Sequence, residues 1–298
     1  MSSYLESTAR ERIQRLFDAG SFTEFLPPSA RVISPHLGQL DAPVAFDDGV
    51  VIGRALLGGE VVFAAAQEGG FMGGAVGEVH GAKLVGLLRR AAAEKIQAVV
   101  LLLETGGVRL HEANAGLIAV SEVMRAVLDA RAAGVAVVTL AGGSNGVFGG
   151  MGIVARCTNA IVMSEEGRLA MSGPEVIETA SGVEEFDSRD RALVWRTTGG
   201  KHRYLLGDCQ AIVADSLAQF RAAAIEAIAA CQASPTSLGL AQLEHEQAML
   251  DERIVRFGAM SDPLEIWAAL GIAQPAAIAM QDAAQFVAAA SAHRLGGR

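Results

Sequence analysis

Cysteine, lysine and aromatic residues are all scarce in this 298-residue chain, and each scarcity removes a class of function. The three cysteines, Cys157, Cys209 and Cys231, stand far apart and form no CxxC pair. A disulfide framework and a four-thiolate zinc site are therefore excluded. Lysine occurs only at Lys83, Lys95 and Lys201, with no basic tract and a net charge of −9, so nucleic acid is not an expected partner. Aromatics make up 5% of the chain against 34 glycines. Sites built from main chain are expected rather than aromatic platforms. No apolar run approaches the ~18–20 residues needed to span a bilayer. With 51% hydrophobic residues, the surplus apolar surface must be buried in the fold or against partners. The first residues carry no secretion-type apolar segment, which leads to the expectation of a cytoplasmic protein. His36, His80, His202, His245 and His293 have no metal-ligand spacing, and no metal is expected.

What the chain does contain is a repeating alternation. Thr8 to Ala19, with Ile13, Leu16 and Phe17 between charges, predicts an amphipathic helix closed by Gly20. Pro27-Pro28 and Pro35 through Pro43 interrupt regular structure, so residues 21–47 are expected to form an extended arm. Val50-Val51-Ile52 and Val61-Val62-Phe63 flank Gly58-Gly59 and predict a hairpin. Leu84, Leu88 and Ala92 then mark a helix, Ala98 to Leu103 a buried strand, and Leu117, Val120, Met124, Val127 and Leu128 the next helix. Gly134 ends it, Val135 to Leu140 is a second buried strand, Gly149-Gly150 opens a helix, and Ala160 to Met163 is a further strand. Ser181 to Gly200 reads as a polar insertion or mobile loop. Val213, Leu217, Phe220, Ala224 and Ile228 predict a helix, and Ala-rich helices follow. The division expected is 1–47 for the N-terminal helix and arm, 48–235 for an α/β core and 236–298 for a helical tail. The alternation predicts a mainly parallel sheet, but periodicity does not separate a doubly wound sheet from a coiled ββα stack.

Two glycine segments follow buried strands. Glu104-Thr105-Gly106-Gly107-Val108-Arg109-Leu110-His111-Glu112 is the first, and Ala141-Gly142-Gly143-Ser144-Asn145-Gly146-Val147-Phe148-Gly149-Gly150-Met151-Gly152 is the second. Each is expected to expose backbone N–H groups at a helix start, where unpaired donors favour an anion. If the turns converge, one N–H from each meets the same carbonyl oxygen and stabilises an oxyanion or enolate. Gly106, Gly107, Gly149 and Gly150 are the candidates; a plain strand-to-helix turn is the competing reading of each segment alone. Neither has the form of a phosphate-binding loop. A third segment, Gly69 to Glu78 with Lys83 after it, is a candidate path for a thioester arm, using Gly73, Gly74, Gly77 and Lys83; a simple turn fits equally. Arg109 and Glu112 are spaced for an intrahelical pair or for orienting the turn. His111 and Glu175 are candidates for proton transfer.

Together these motifs resemble the carboxyltransferase family, the crotonase-superfold subunits of acyl-CoA carboxylases and related decarboxylases. The resemblance runs over residues 8–235. Ala9 to Phe22 is similar to the family's N-terminal helix with its D-x-G-S-F ending, Thr105 to Glu112 stands where the family has S-G-G-A-R-M-Q-E, and Ser172-Gly173-Pro174-Glu175 repeats its G-P-E. The resemblance implies a crotonase-like ββα superhelix with a helical C-terminal segment. Within the family it points to the branch that decarboxylates malonyl thioesters without biotin. It further implies a homologous gamma partner subunit, an acyl carrier protein subunit, and a CoA-type, phosphopantetheine-derived thioester arm, with no covalently bound cofactor. There is no biotinyl M-K-M site and no zinc ribbon. A biotin-dependent carboxyltransferase subunit and a non-catalytic assembly subunit are the alternatives.

Overall fold

A computed structural model of the chain describes residues 2–39, 49–235 and 239–296. The expected boundary at 47/48, and Pro43, fall outside those residues, and the boundary at 235/236 falls at their edge. Helix α1 (Ala9–Leu16) starts at Thr8, whose side chain caps the Glu11 amide while Glu11 reaches back to the Thr8 amide, and it buries Ile13 and Leu16. In the segment expected to be an arm, β1 (Thr23–Phe25) joins the sheet and a short helix α2 (Pro35–Gln39) follows.

The hairpin forms as the sequence predicts. β2 (Val50–Leu57) and β3 (Glu60–Gln67) pair antiparallel, with Leu57 opposite Glu60. Gly58 and Gly59 both take positive φ, +64° and +86°, the conformation a two-residue hairpin turn needs. Helix α3 (Glu78–Ala93), β4 (Ala98–Leu103), α4 (Ala115–Ala132), β5 (Ala136–Ala141), α5 (Gly150–Cys157) and β6 (Ala160–Ser164) then alternate. β3 to β7 are parallel, and β7 (Ala211–Val213) ends a seven-stranded sheet whose spatial order repeats its chain order. This is the crotonase-like ββα superhelix.

Every residue of β4 and β5 is buried, which explains their unbroken apolar composition. One face of the sheet packs on α3, α4 and α5; the other carries Val100, Leu102, Val138 and Leu140 under α1 and α9 (Leu217–Ala233). The Tyr4 and Phe220 rings meet at 4.1 Å, and the Asp215 carboxylate accepts from the Tyr4 and Leu5 amides at 2.7 and 2.8 Å, closing the two ends of the core together.

Several expectations are revised. Val213 is the last residue of β7, because pairing with Ser164 outweighs its helical spacing, and the helix begins at Leu217. On α4, Leu117 and Leu128 are exposed, while Ala119, Val123 and Ala126 face the core. The cause is a close crossing: a side chain at Gly81 would meet the Ala119 Cβ at 2.4 Å, so only small residues fit between α3 and α4. The polar stretch after α6 (Pro174–Ser181) contains α7 (Arg191–Thr198), capped by Asp190. Helix α8 (Gly200–Leu205) leads back to β7.

The remaining helices are α10 (Leu240–Phe257), α11 (Pro263–Ala269), α12 (Pro275–Ala279) and α13 (Ala283–Ala290). Helix α10 meets the core through charge: Arg253 reaches Asp208 at 3.2 Å and Glu246 lies 3.9 Å from Arg156. Its Leu240, Leu243 and Ile254 point to solvent. Among the described residues no helix is long and apolar enough to cross a membrane.

Candidate functional site

At the C-terminal ends of β4 and β5 the chain does not enter its helices at once. It runs on as short extended segments bridged in parallel, Val76 with Val108, Thr105 with Val147, and Val147 with Leu169. The Thr105 amide donates to Gly146 O at 2.8 Å and the Phe148 amide to Thr105 O at 3.0 Å, so the two glycine segments lie side by side. A Cβ placed on Gly149 would sit 3.1 Å from the Gly107 Cα. The turns converge.

Which amides remain available differs from the sequence expectation. Gly106 N–H donates to Gly73 O at 2.9 Å and Gly149 N–H to Met171 O at 2.9 Å. Gly107 N–H is held by the Thr105 hydroxyl at 3.1 Å. These three glycines shape the turns, and their donors are spent within the fold. Among the described residues, the amides of Val108, Gly150 and Met151 have no acceptor. Gly150 and Met151 open α5, whose first-turn donors are unpaired by construction. Val108 is the residue that sequence reasoning passed over. Its side chain carries no signal; only the alternation of bonds to Val76 on either side of it leaves its own N–H free.

The first turn is also not a helix start. Leu110–Glu112 is a 3-10 turn, and α4 begins only at Ala115. Arg109 and Glu112 do pair, at 3.2 Å, but both are buried and each has a second task. Arg109 Nε donates to Ala75 O at 2.9 Å and Glu112 accepts the Glu78 amide at 2.5 Å. They pin the Gly73–Gly77 loop onto the first turn, as positioning groups.

The glycine loop is a wall of the turns. A side chain on Gly74 would strike Glu104 O at 2.0 Å, and one on Gly77 the Glu112 carboxylate at 2.5 Å. Gly73 is exposed, with φ +65°, and gives its carbonyl to Gly106. Lys83 lies in the interior, its Nζ donating to Val50 O at 2.6 Å. A buried ammonium tied to a strand carbonyl cannot meet an incoming ligand, so Lys83 is a structural residue. Glu175 is exposed in the first turn of α6, and His111 is half-buried with its Nε2 lacking a partner.

Glu104 is the hub that the sequence did not reveal. Buried at the end of β4, its carboxylate pairs with the equally buried Arg12 of α1, accepts the Ser144 hydroxyl at 3.0 Å and accepts the Asn145 amide at 3.2 Å. Asn145 Nδ2 in turn donates to Gly69 O at 2.8 Å. One carboxylate thus joins α1, both glycine turns and the glycine loop. Burying it is tolerable because each oxygen is paired.

Cys209 is fully buried and burial pushes its thiol up to about 12, which leaves it inert as a nucleophile. Apolar residues ring the turns: Leu110, Ile153 and Met171 are all exposed.

Residues 6–213 match the family model described as the carboxyl transferase domain. The chain is 48% identical over 233 residues to the malonyl-S-ACP:biotin-protein carboxyltransferase of Malonomonas rubra, covering 74% of this chain and 73% of that protein. Its structure is similar, with a TM-score of 0.76 and 38% identity, to a chain of the Pseudomonas malonate decarboxylase hetero-tetramer solved with malonate, covering 88% of this chain and 95% of that one. A chain of the Pseudomonas malonate decarboxylase hetero-dimer aligns with a TM-score of 0.62 and 38% identity over 76% of this chain and 88% of that one.

Proposed function

The chain belongs to the carboxyl transferase family, and from that premise we propose that it is the beta subunit of a malonate decarboxylase. In this reading it converts a malonyl thioester on an acyl carrier protein to the acetyl thioester, together with a homologous gamma subunit. The relatives named above support the coarser statement, an enzyme of the malonate decarboxylase type that acts on carboxyl groups. The observation that carries the finer one is the pair of unspent donors, Val108 N–H and Gly150 N–H, on two turns in backbone contact.

The chemistry follows from where charge develops. When the bond between the α-carbon and the carboxylate breaks, its electron pair moves through the enolate to the thioester oxygen. An oxygen accepting from Val108 and Gly150 is stabilised more after that shift than before it, and the start of α5 adds its dipole. CO2 leaves neutral, so an apolar surround favours departure; Leu110, Ile153 and Met171 supply it once the gamma subunit covers them. A proton then completes the acetyl group. The thioester arm, of CoA type and carried by the acyl carrier protein, approaches past the exposed Gly73.

Gly150 offers a clean test. It is the first residue of α5, where proline is tolerated, so Gly150→Pro removes the N–H without breaking the helix. Gly150→Ala brings the same added Cβ against Val120 but keeps the N–H. In the purified beta–gamma complex, CO2 release from malonyl carrier protein is expected to be ~10²–10³-fold slower in the Pro variant than in the Ala variant. Equal rates would remove the proposed donor, and with it the catalytic role of this chain in favour of an assembly role.

A second reading is favoured by the Malonomonas rubra relative, whose name describes transfer to a biotin protein. Adding avidin decides between the two. Release untouched by avidin supports the biotin-independent reaction; release abolished by it, with a biotinylated carrier copurifying, supports transfer.

A further inference from the structure

Helix α4 packs against both glycine turns. A side chain at Gly116 would meet Val108 Cγ1 at 2.5 Å and Val76 O at 3.0 Å, so the helix backbone itself lies against the first turn. One turn of helix later, Val120 does the same for the second: a Cβ on Gly150 would meet Val120 Cγ1 at 2.5 Å and Cγ2 at 3.0 Å. Both Gly116 and Val120 are buried. Residues four apart share one face of a helix, so a single face of α4 seats the two residues that carry the unspent donors.

The spacing of the seats fits the chemistry. Two amides that share one acceptor at ~2.9 Å each lie at most ~6 Å apart, and four residues of α-helix rise ~6 Å. The chain is also constrained to bring α4 back to this place. Between Val108 and Gly116 it turns at Ala113, with φ +50° and ψ −131°, a conformation that an alanine keeps only where its surroundings impose it. On a neighbouring face α4 is fixed against α3 by the tight approach of Ala119 to Gly81, so the seats at Gly116 and Val120 are held in register with the turns.

We propose that Gly116 and Val120 are positioning residues that set the separation of the Val108 and Gly150 amides, so that both reach one thioester oxygen. The proposal rests on the donor reading given above and adds to it the element that spaces the donors. Val120→Ala takes away the two methyl groups that face Gly150, whereas Val120→Thr keeps a branched side chain of nearly the same shape and puts a hydroxyl in an apolar place. Both variants are expected to lower the urea midpoint. In the purified beta–gamma complex, Val120→Ala is expected to lower kcat for CO2 release from malonyl carrier protein about tenfold with KM unchanged, because the transition state gains most from both donors acting at once. Val120→Thr is expected to keep most of the wild-type kcat. Gly116→Ala, which drives a methyl onto Val108, is expected to give the same signature as Val120→Ala. Equal kcat in the two Val120 variants, or a loss that falls on KM instead, overturns the proposal. Gly150→Pro and Gly150→Ala measured beside them keep the two readings apart. A difference within that pair with none between the Val120 variants leaves the donors standing and removes the spacing role; equal rates within that pair remove both.

Discussion

A methyl group separates Gly149 from alanine, and at this position it has no room. Gly149 holds φ +63°, and its added Cβ would press on the Gly107 Cα at 3.1 Å, a backbone atom that cannot yield. Gly149→Ala is therefore expected to cost ~1–3 kcal/mol of stability and to spread the two turns, lowering kcat at least tenfold. Gly106→Ala is the contrast: nothing closer than Gly73 O at 3.4 Å meets the new group, and near-native turnover is expected in the same decarboxylation assay. Glu104→Gln keeps the shape of the hub but leaves the Arg12 guanidinium buried without its countercharge. Removing one member of a buried pair typically costs ~3–5 kcal/mol, which urea denaturation would register as a lowered midpoint. For Lys83→Met the expectation is a stability loss of ~1–3 kcal/mol from the lost bond to the Val50 carbonyl, with KM for the thioester unchanged. A raised KM with stability intact would restore Lys83 as a ligand-binding residue.

Among the elements, Asp208 shows how the C-terminal helices are attached. Burial by itself would raise its carboxyl, but Arg156, Arg203 and Arg253 outweigh this and hold it below the usual carboxylate range. Arg156 comes from α5, Arg203 from α8 and Arg253 from α10, so one carboxylate ties the helix at the site to the outer layer. Asp208→Asn is expected to loosen α10, seen as faster amide exchange across Leu240–Phe257 while β4 and β5 stay protected. What the sequence made legible at this scale was the regular part. The hairpin announced itself through Gly58-Gly59, the central strands through unbroken apolar runs, and the two glycine turns through their place after β4 and β5. What stayed hidden depends on partners remote in sequence. The availability of an amide at 106 or 149 is decided by carbonyls at Gly73 and Met171, and no local pattern encodes that pairing. Lys83, a candidate for the thioester path, and Glu104, which carries no signal of its own, share one reason: only the fold supplies Val50 O and Arg12. The glycines of Thr105 to Glu112 read as a helix start, whereas bridges to Val147 and Val76 hold Thr105 and Val108 extended and Leu110–Glu112 closes only a 3-10 turn.

For the whole molecule, His202 sets a pH limit. Burial lowers its pKa from 6.5 to about 3, so the folded protein keeps it neutral while the unfolded chain protonates below pH 6.5. The unfolded state then binds the extra proton, and stability falls with pH by up to ~1.4 kcal/mol per unit from about 6.5 downward; above that pH the group contributes no slope. His202→Gln, which can still accept from Trp267, is expected to flatten this part of the stability profile between pH 6.5 and 5 in urea melts. A slope unchanged in the variant would assign the effect elsewhere.

The agreement between strand order and chain order bears on how the protein is made. As the polypeptide leaves the ribosome, each parallel strand finds its neighbour already laid down, so the sheet can grow from β1 toward β7 without waiting for distant sequence. The exception is the segment around Tyr4, whose partners Phe220 and Asp215 follow some two hundred residues later. Translation therefore yields a nascent spiral in which α1 is seated on β2, β3 and Glu104 before α9 arrives to cover it, and a chain arrested before Asp215 would leave Tyr4 and the α9-facing side of α1 open to cellular chaperones and proteases.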